Sequence, residues 1–263
     1  MESDLIVKRD DHGVVTATLN RPEKKNAIDG ALWQELIDLF DEVAASRDDR
    51  VLVLTGAGDA FTSGADLTGA SAVDMARGVG AALHSMRLVG RCALRLHELP
   101  KPTIAAVNGI AVGAGCNLAL GCDLIIASDA ARFSEIFVRR GLSLDFGGSW
   151  VLPRLIGLHK AKELVFLGET IDAREAERYG IVNRVVPAAD LEREVAELAR
   201  RIAAQPPVQI SISKKLLNQS MSVSMNEALE FEDVAQSLAV GSADTREAML
   251  AFVEKREPKF TGE

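Results

Sequence analysis

The segments VLVLTGAGDAFTSGADL (residues 51–67) and TIAAVNGIAVGAGCNL (residues 103–118) share one plan. Each begins with an apolar run typical of a buried strand and ends in a glycine-containing turn, Gly64-Ala65-Asp66 in the first and Gly113-Ala114-Gly115 in the second. We expect both turns to open at the same end of a sheet, each leaving a backbone N–H group free. Two such donors aimed at one point form an oxyanion hole. One glycine-rich turn alone would indicate only a connection between a strand and a helix.

The hydrophobic pattern of the whole chain predicts an α/β fold with a mostly parallel sheet, because strand-like and helix-like segments alternate. Strands are predicted at 5–7, 14–19, 51–55, 103–107 and 124–127. Helices are predicted from the capping residue Asp29 to Val43, and at 79–96, 115–121 and 150–156. Farther along, only helices are predicted, at 191–205, 207–218, 224–240 and 243–256. We therefore expect a sheet-based core followed by a helical appendage.

The composition predicts a folded, soluble and acidic protein. Of the 263 residues, 48% are hydrophobic, which is enough to bury one large domain or two small ones. The formal net charge of −8 disfavours nucleic acid or an anionic membrane as a partner, since both require a concentrated positive surface. The first residues lack the pattern of a secretory signal, and no run of about 18 apolar residues occurs. A cytoplasmic location is expected.

Cysteine and histidine are sparse, and their spacing fits no metal site. The three cysteines lack CxxC spacing and are expected to be reduced packing residues, while none of the four histidines lies in an HExxH pattern. GxSxG and GxxxxGK motifs do not occur either. No metal is predicted, and serine hydrolysis and nucleotide hydrolysis lose their usual sequence support.

Further motifs surround the two turns. They are LNRPEKKNAI at 19–28, AFTSGADL at 60–67, AVNG at 106–109, GAGCNL at 113–118, LPRLIG at 152–157, YGIV at 179–182 and FVEKR at 252–256. This set resembles the enoyl-CoA hydratase/isomerase (crotonase) family over nearly the whole chain. The resemblance implies a spiral of strand-strand-helix turns that binds acyl-CoA, at residues 1–205. It also implies a helical oligomerisation region at 206–263, and a homotrimer or a dimer of trimers.

By this resemblance, the oxyanion donors are the N–H groups of Ala65 and Ala114, and the substrate is an acyl-CoA thioester. Coenzyme A belongs to the substrate, and no separate cofactor is predicted. The residues predicted to bind substrate are Lys24, Asn26, Ala27, Gly64, Asp66, Leu67, Gly113, Asn117, Phe137 and Phe260, the last by reaching the ligand of an adjacent subunit. Surface charge is the alternative role for Lys24, and a helix cap or turn is the alternative for Asp66.

The acid–base residues depart from those of the family's hydratases. Hydratases use two glutamates to hold and deprotonate a water, and the matching positions here are Asn117 and Phe137, neither of which can transfer a proton. Asp145 remains, at a position where several isomerases of the family, including the ring-1,2-epoxyphenylacetyl-CoA isomerases, carry an aspartate. We predict that Asp145 moves a proton between two carbons while negative charge collects on the thioester oxygen.

Other roles for the residues near Asp145 remain open. Asp145 could instead cap the helix that follows it. Its apolar neighbours predict a raised pKa, which Arg139 or Arg140 would oppose if either turned inward. Glu135 is a further acid–base candidate if the segment 135–137 is extended, because residues two apart on a strand face the same side.

The leading prediction is an enoyl-CoA isomerase. A hydratase with a reduced acid–base set and an acyl-CoA binding protein without catalysis are the alternatives. In the family's 4-chlorobenzoyl-CoA dehalogenases, the residue that matches Asp145 is a nucleophile, and that chemistry also requires a base, for which His84 is the candidate. The small residues of 69–80 predict an adaptable wall over the acyl pocket.

Overall fold

The computed structural model describes residues 3–68 and 78–263. Six strands form the larger sheet: β1 Leu5–Arg9, β2 Val14–Leu19, β3 Val51–Gly56, β5 Thr103–Val107, β7 Leu124–Ser128 and β10 Arg184–Val186. They lie side by side in the order β1-β2-β3-β5-β7-β10. The β1/β2 hairpin is antiparallel and all other neighbours are parallel, as the sequence predicted.

Four short strands form a second sheet: β4 Ala60–Thr62, β6 Ile110–Val112, β8 Arg132–Ser134 and β9 Thr170–Asp172, in that order. β4, β6 and β8 are parallel, and each follows a strand of the larger sheet after a short connection. The two glycine-containing turns therefore open from β4 and β6, two short strands that the sequence did not predict. Three residues are too few to show the alternation by which a strand is recognised in sequence.

The described residues form ten α-helices. They are α1 Gly30–Ala45, α2 Val79–Glu98, α3 Ala114–Leu120, α4 Gly148–Ile156, α5 Leu158–Leu167, α6 Ala173–Tyr179, α7 Leu191–Ala203, α8 Pro207–Ser220, α9 Met225–Val240 and α10 Ala243–Glu254. The predicted α/β class with a helical carboxy-terminal part is confirmed, although α5, α6 and β10 were not predicted. Within the described ranges, no helix is both long enough and apolar enough to cross a bilayer.

Alternate residues of the larger sheet face two different apolar cores. On β3, Leu52 and Leu54 belong to the larger core, together with α1 and the buried residues of α2. Val51 and Val53 belong to a smaller core on the opposite face, which Leu191 and its neighbours on α7 cover. Both faces are buried, which explains why the central strands are apolar without alternation.

The amino-terminal half of α2 differs from the prediction. The apolar stripe predicted for this helix includes Val79, Leu83 and Met86, but these side chains are 86%, 51% and 46% exposed. The buried residues of α2 lie farther along, at Val89, Cys92 and Leu96. Periodicity alone overestimates burial here because only the carboxy-terminal half of the helix reaches the core. The predicted adaptable wall at 69–80 falls mostly on residues 69–77, which lie outside the described residues.

Helix α1 begins at the capping residue that the sequence identified. The Oδ1 atom of Asp29 accepts a hydrogen bond from the Leu32 N–H at 3.0 Å. We expect Asp29→Ala to lower the free energy of unfolding by roughly 1 kcal/mol in urea titrations, because it leaves this N–H without its acceptor. Asp29→Ser keeps a capping oxygen and is the control. An equal loss in both variants would assign the effect to the ion pair between Asp29 and Arg21, at 3.3 Å, instead of the cap.

Polar contacts join the carboxy-terminal helices to the core and to residues 261–262. Lys214 of α8 forms an ion pair at 2.7 Å with Asp123, which directly precedes β7. Asp244 of α10 is 2% exposed and accepts hydrogen bonds from the backbone N–H groups of Thr261 and Gly262. The helices of the predicted region 206–263 are present, and its separation as an oligomerisation region stays a prediction.

Candidate active site

The two glycine-containing turns are in direct contact. Because β4 and β6 are parallel neighbours, the turns that follow them emerge side by side. A Cβ atom added to Gly64 would lie 3.2 Å from the Ala114 nitrogen, and one added to Gly115 would lie 3.0 Å from the Gly64 nitrogen. Gly64 also has a φ of 87°, in the left-handed region that favours glycine. The glycines therefore permit the close approach of the two predicted donors.

The N–H groups of Ala65 and Ala114 are both free of acceptors among the described residues. On either side of Ala65, the Gly64 carbonyl accepts from the Ile28 N–H and the Asp66 N–H donates to the Ile28 carbonyl, both at 2.8 Å. This bridge to Ile28 leaves the Ala65 N–H unused. Ala114 is the first residue of α3, where a backbone N–H has no partner within the helix. Two adjacent unused donors are what an oxyanion hole requires.

Asn117, Glu135 and Asp145 meet beside the second turn. Asn117 lies about one helical turn after Ala114 on α3 and is 1% exposed. Its Nδ2 atom is 3.1 Å from the Asp145 carbonyl oxygen and 3.4 Å from Oε2 of Glu135. Glu135 follows β8 and is 3% exposed. The structure thus brings Glu135, a secondary candidate in the sequence, into contact with the predicted site.

The prediction that Glu135 and Phe137 face the same side required an extended segment, but the backbone at Glu135 is not extended. A 3-10 helix, Ile136–Arg140, begins directly after it. Both Glu135 and Phe137 are nevertheless buried, because Glu135 ends the strand path of β8 and Phe137 turns inward from the 3-10 helix. Phe137 lies beside the second turn, where a Cβ atom on Gly113 would be 3.7 Å from its ring. Phe137 therefore excludes water from the position that it occupies.

The carboxyl group of Asp145 does not cap a helix. Helix α4 begins after Gly147, and no side chain caps it. The Gly148 N–H donates instead to the Asp145 backbone carbonyl at 2.9 Å, while the Oδ1 atom of Asp145 is buried and has no partner among the described residues. The structural alternative that the sequence left open for Asp145 is thus absent, and its carboxyl group is available for another role.

Burial shifts the proton affinities of both carboxyl groups. It raises the pKa of Asp145 to about 6. Burial raises the pKa of Glu135 to about 7; hydrogen bonds from Cys116 and Asn117 act against the rise, and the charge of Asp145 adds to it. Arg139 and Arg140 are exposed, and burial is what raises the pKa of Asp145, so neither arginine opposes the rise.

An aromatic pair supports the loop that carries Asp145. The rings of Phe146 and Trp33 have their centroids 5.3 Å apart and are tilted by 32°. Phe146 has a φ of 47°, an uncommon value for a residue with a side chain. Sequence reasoning did not identify Trp33, because nothing in the helical pattern of α1 distinguishes it from other core residues. The pairing holds Phe146 in the core and directs the adjacent Asp145 toward Asn117.

The segment 21–27, which contains the predicted substrate-binding residues Lys24, Asn26 and Ala27, is organised around a buried arginine. Arg21 is 8% exposed and forms an ion pair with Asp66 at 3.1 Å, and Lys24 approaches the same carboxylate oxygen at 3.2 Å. Burial acts to raise the pKa of Asp66, but hydrogen bonds from Thr68 and Lys24 outweigh it and hold the pKa well below its usual range. Asp66 is therefore an ionised turn residue, and the Lys24 side chain remains 46% exposed.

Asn26 and Ala27 are engaged within the protein. Asn26 is fully buried, and its amide group donates to the carbonyls of Ala57 and Ala60 and accepts from the Arg21 N–H. The Ala27 carbonyl accepts from the Arg21 guanidinium at 2.7 Å. The structure gives both residues a supporting function that the sequence did not predict, and their binding roles stay predictions.

Phe260 lies away from the two turns within its own chain. Its carbonyl oxygen is 3.5 Å from the guanidinium of Arg50, just before β3, whereas the turns follow the opposite end of that strand. A contact with the ligand of an adjacent subunit stays a prediction.

Leu67 is 43% exposed beside the first turn. His84, the candidate base of the dehalogenase alternative, is exposed on α2 and makes no hydrogen bond to Asp145. The structure therefore gives that alternative no support.

Comparisons with known proteins agree with this architecture. The sequence model described as Enoyl-CoA hydratase/isomerase matches residues 9–263. The chain is 37% identical to the 1,2-epoxyphenylacetyl-CoA isomerase of Escherichia coli over 98% of its own length and 99% of that protein. It is 36% identical to the short-chain-enoyl-CoA hydratase of Clostridium acetobutylicum, over 98% and 97%. The crystal structure of an enoyl-CoA hydratase from Bacillus anthracis matches with a TM-score of 0.94 at 34% identity, covering 99% of this chain and all of that one. The chain therefore belongs to the enoyl-CoA hydratase/isomerase family.

Proposed function

We propose that this family member is an acyl-CoA isomerase in which Asp145 is both base and acid. The observation that carries the proposal is the Asp145 carboxyl group: it caps no helix, it is held out of bulk water, and it lies beside the turn that bears Ala114. Asp145 accepts a proton from an acidic C–H of the acyl group, and the electron pair moves into the thioester. The N–H groups of Ala65 and Ala114 stabilise the enolate oxygen, and Asp145 returns the proton to another carbon.

The substrate is proposed to be an acyl-CoA thioester, with coenzyme A acting as its carrier and no separate cofactor. The exposed Lys24 ammonium, held near Asp66, is the proposed contact for a phosphate group. Two other observations, at Asn117 and Phe137, favour an isomerase over a hydratase. Asn117 cannot transfer a proton, and the buried Phe137 ring occupies a position where the family's hydratases place a glutamate.

A hydratase is the second candidate, because one observation favours it. Glu135 and Asp145 provide two buried carboxyl groups, and Asn117 donates to the carboxyl group of the first and to the backbone carbonyl of the second. A pair of carboxyl groups can hold and deprotonate a water. The relatives include both isomerases and hydratases, and their names do not choose between the two.

Turnover of 2-enoyl-CoA and 3-enoyl-CoA thioesters in heavy water separates these candidates. An isomerase moves the double bond and incorporates deuterium into the acyl chain, without forming a hydroxyacyl product. Rapid formation of 3-hydroxyacyl-CoA would replace the isomerase proposal with the hydratase. Tight acyl-CoA binding without hydration or exchange, over a panel of linear and ring-bearing thioesters, would identify a binding protein.

The activity should rise with pH through the pKa of Asp145. Because burial raises this pKa to about 6, the carboxyl group is protonated below that pH and cannot accept a proton. We expect kcat/KM to increase as the pH rises through about 6, in a profile measured with 3-enoyl-CoA. An aspartate in its ordinary state would place this rise near pH 4. A rise at the lower value would contradict the desolvated base.

We also propose that the carboxy-terminal helices join subunits, as a homotrimer or a dimer of trimers. The support is a set of large apolar side chains that the single chain leaves exposed on α9 and α10: Phe231, Val234, Leu238, Met249, Phe252 and Val253. Large apolar side chains that stay exposed on neighbouring helices are typical of a protein interface. Sedimentation velocity of the purified protein tests the assembly, and a monomer at micromolar concentration would contradict it.

A further inference from the structure

Glu135 is a buried carboxyl group that the proposed proton transfer does not use. It is 3% exposed and forms no ion pair with the described residues. Its Oε2 atom accepts a hydrogen bond from Nδ2 of Asn117, and the same Nδ2 atom donates to the Asp145 carbonyl. A carboxyl group is rarely buried without a partner of opposite charge, because its ionised form loses hydration.

Hydrogen-bond acceptors outnumber donors around Glu135. Three buried oxygens in this cluster, Oδ1 of Asn117, Oε1 of Glu135 and Oδ1 of Asp145, accept no hydrogen bond from the described residues. Ionised carboxylates and an amide oxygen are acceptors only, so two ionised carboxyl groups would leave all three atoms unsatisfied. If one carboxyl group keeps its proton, that group becomes a hydrogen-bond donor. The free-energy cost of the unsatisfied buried acceptors is then smaller.

The neighbouring groups provide no counter-charge for two ionised carboxyl groups. On α3, burial keeps the pKa of Cys116 well above its usual range, so its thiol stays neutral. On the 3-10 helix that follows Glu135, Arg140 is exposed, and the Nε atom of Arg139 donates to the Leu167 carbonyl at 3.0 Å. The remaining titratable group that acts on Glu135 is Asp145, before α4.

We infer that Glu135 and Asp145 hold one proton between them at neutral pH, and that Glu135 is a positioning residue for the Asp145 carboxylate through Asn117. The proton resides on Glu135 when Asp145 is ready to act as a base. The site then carries a single negative charge before the reaction begins. A second charge from Glu135 would oppose the negative charge that develops on the thioester oxygen.

Packing makes this link rigid. A Cβ atom on Gly148 would overlap the Asn117 amide, so the start of α4 lies directly against that group. The Asn117 amide is thus held between Glu135, the Asp145 carbonyl and Gly148. A change in the charge of Glu135 therefore acts on Asp145 both through space and through the amide that fixes its loop.

Infrared spectroscopy of the full-length protein tests the shared proton without reference to activity. With ¹³C-labelled glutamate, a protonated carboxyl band should be present at neutral pH, be lost in Glu135→Gln, and disappear as the pH rises through about 7. In Asp145→Asn, the midpoint of this titration should fall, because the neighbouring charge is gone. Absence of the band in the wild-type protein at about pH 6, or an unchanged midpoint in Asp145→Asn, would overturn the inference.

The kinetic consequence rests on the proposed isomerase function and is measured separately. In the wild-type enzyme, kcat should fall by about tenfold for each pH unit above about 7, as Glu135 loses its proton. Glu135→Gln has a side chain that is neutral at every pH, so its kcat should lose this fall above about pH 7. Glu169→Gln, at an exposed position, is the matched control and should keep it.

The two measurements fail in distinguishable ways. If the thioester panel gives no exchange or double-bond migration, the isomerase proposal fails while the infrared result still decides whether the proton is shared. If isomerase activity is present but Glu135→Gln retains the fall above pH 7, the inference about Glu135 fails alone.

Discussion

Asp145→Asn should lower kcat by roughly 100- to 10,000-fold, the range expected when one positioned proton-transfer group is lost. The amide keeps the size of the side chain but cannot accept a proton. Asn117 and Gly148 bind the backbone carbonyl of Asp145 and not its carboxyl group, so the loop should keep its conformation. Affinity for acyl-CoA should therefore change little, and deuterium incorporation should fall in parallel with turnover.

Steady-state kinetics, ligand titration and thermal unfolding on the same preparations check this result. Asp172→Asn is the matched control, because Asp172 caps α6 through its Oδ1 atom and asparagine preserves the cap. The control should retain both stability and kcat. An active and normally stable Asp145→Asn enzyme would remove Asp145 from the chemistry and make Glu135 the next candidate base.

Ala114→Pro should reduce turnover by roughly 100- to 1000-fold, since it removes one of the two proposed donors to the enolate oxygen. The position suits the substitution. Ala114 is the first residue of α3, where proline is well accepted, and its N–H makes no hydrogen bond to the described residues. Coenzyme A affinity should persist to a large extent, because the nucleotide end is proposed to bind at the segment around Lys24.

Ala114→Gly is the control for this variant, because it retains the N–H. Circular dichroism must show native helix content in both proteins, since Gly64 closely approaches the Ala114 nitrogen. Wild-type kcat in a correctly folded Ala114→Pro protein would exclude this turn from the oxyanion hole. A loss of kcat in Ala114→Gly as large as in the proline variant would assign the effect to packing.

Much of the fold could be predicted because its signals are local. The strands of the larger sheet are continuous apolar runs, since both of their faces are buried, and such runs stand out in sequence. The Asp29 cap and the glycines of the two turns are likewise readable, because each depends on the backbone within a few residues. The two turns also indicated the candidate site, since donors from the main chain do not depend on particular side chains.

The remainder depends on contacts that are distant in sequence. The place of Glu135 follows from the end of β8 and the position of Asn117 on α3, which no local pattern reveals. Arg21 is missed for a similar reason, because its burial depends on Asp66, forty-five residues away. At the start of α2 the sequence predicted burial where the side chains are exposed. An amphipathic pattern predicts a helix but does not show what the helix packs against.

The parallel order β4-β6-β8 has a consequence for how this scaffold can change its chemistry. Three consecutive steps of the spiral deliver one group each to a common edge: the Ala65 amide, the Ala114 amide and the Glu135 carboxyl. The proposed oxyanion donors are main-chain groups and are therefore insensitive to most amino-acid exchanges, whereas the proposed base Asp145 and the groups around it are side chains on separate segments. If the proposed mechanism holds, single exchanges at positions 117, 135, 137 or 145 change the reaction type while the proposed activation of the thioester is kept.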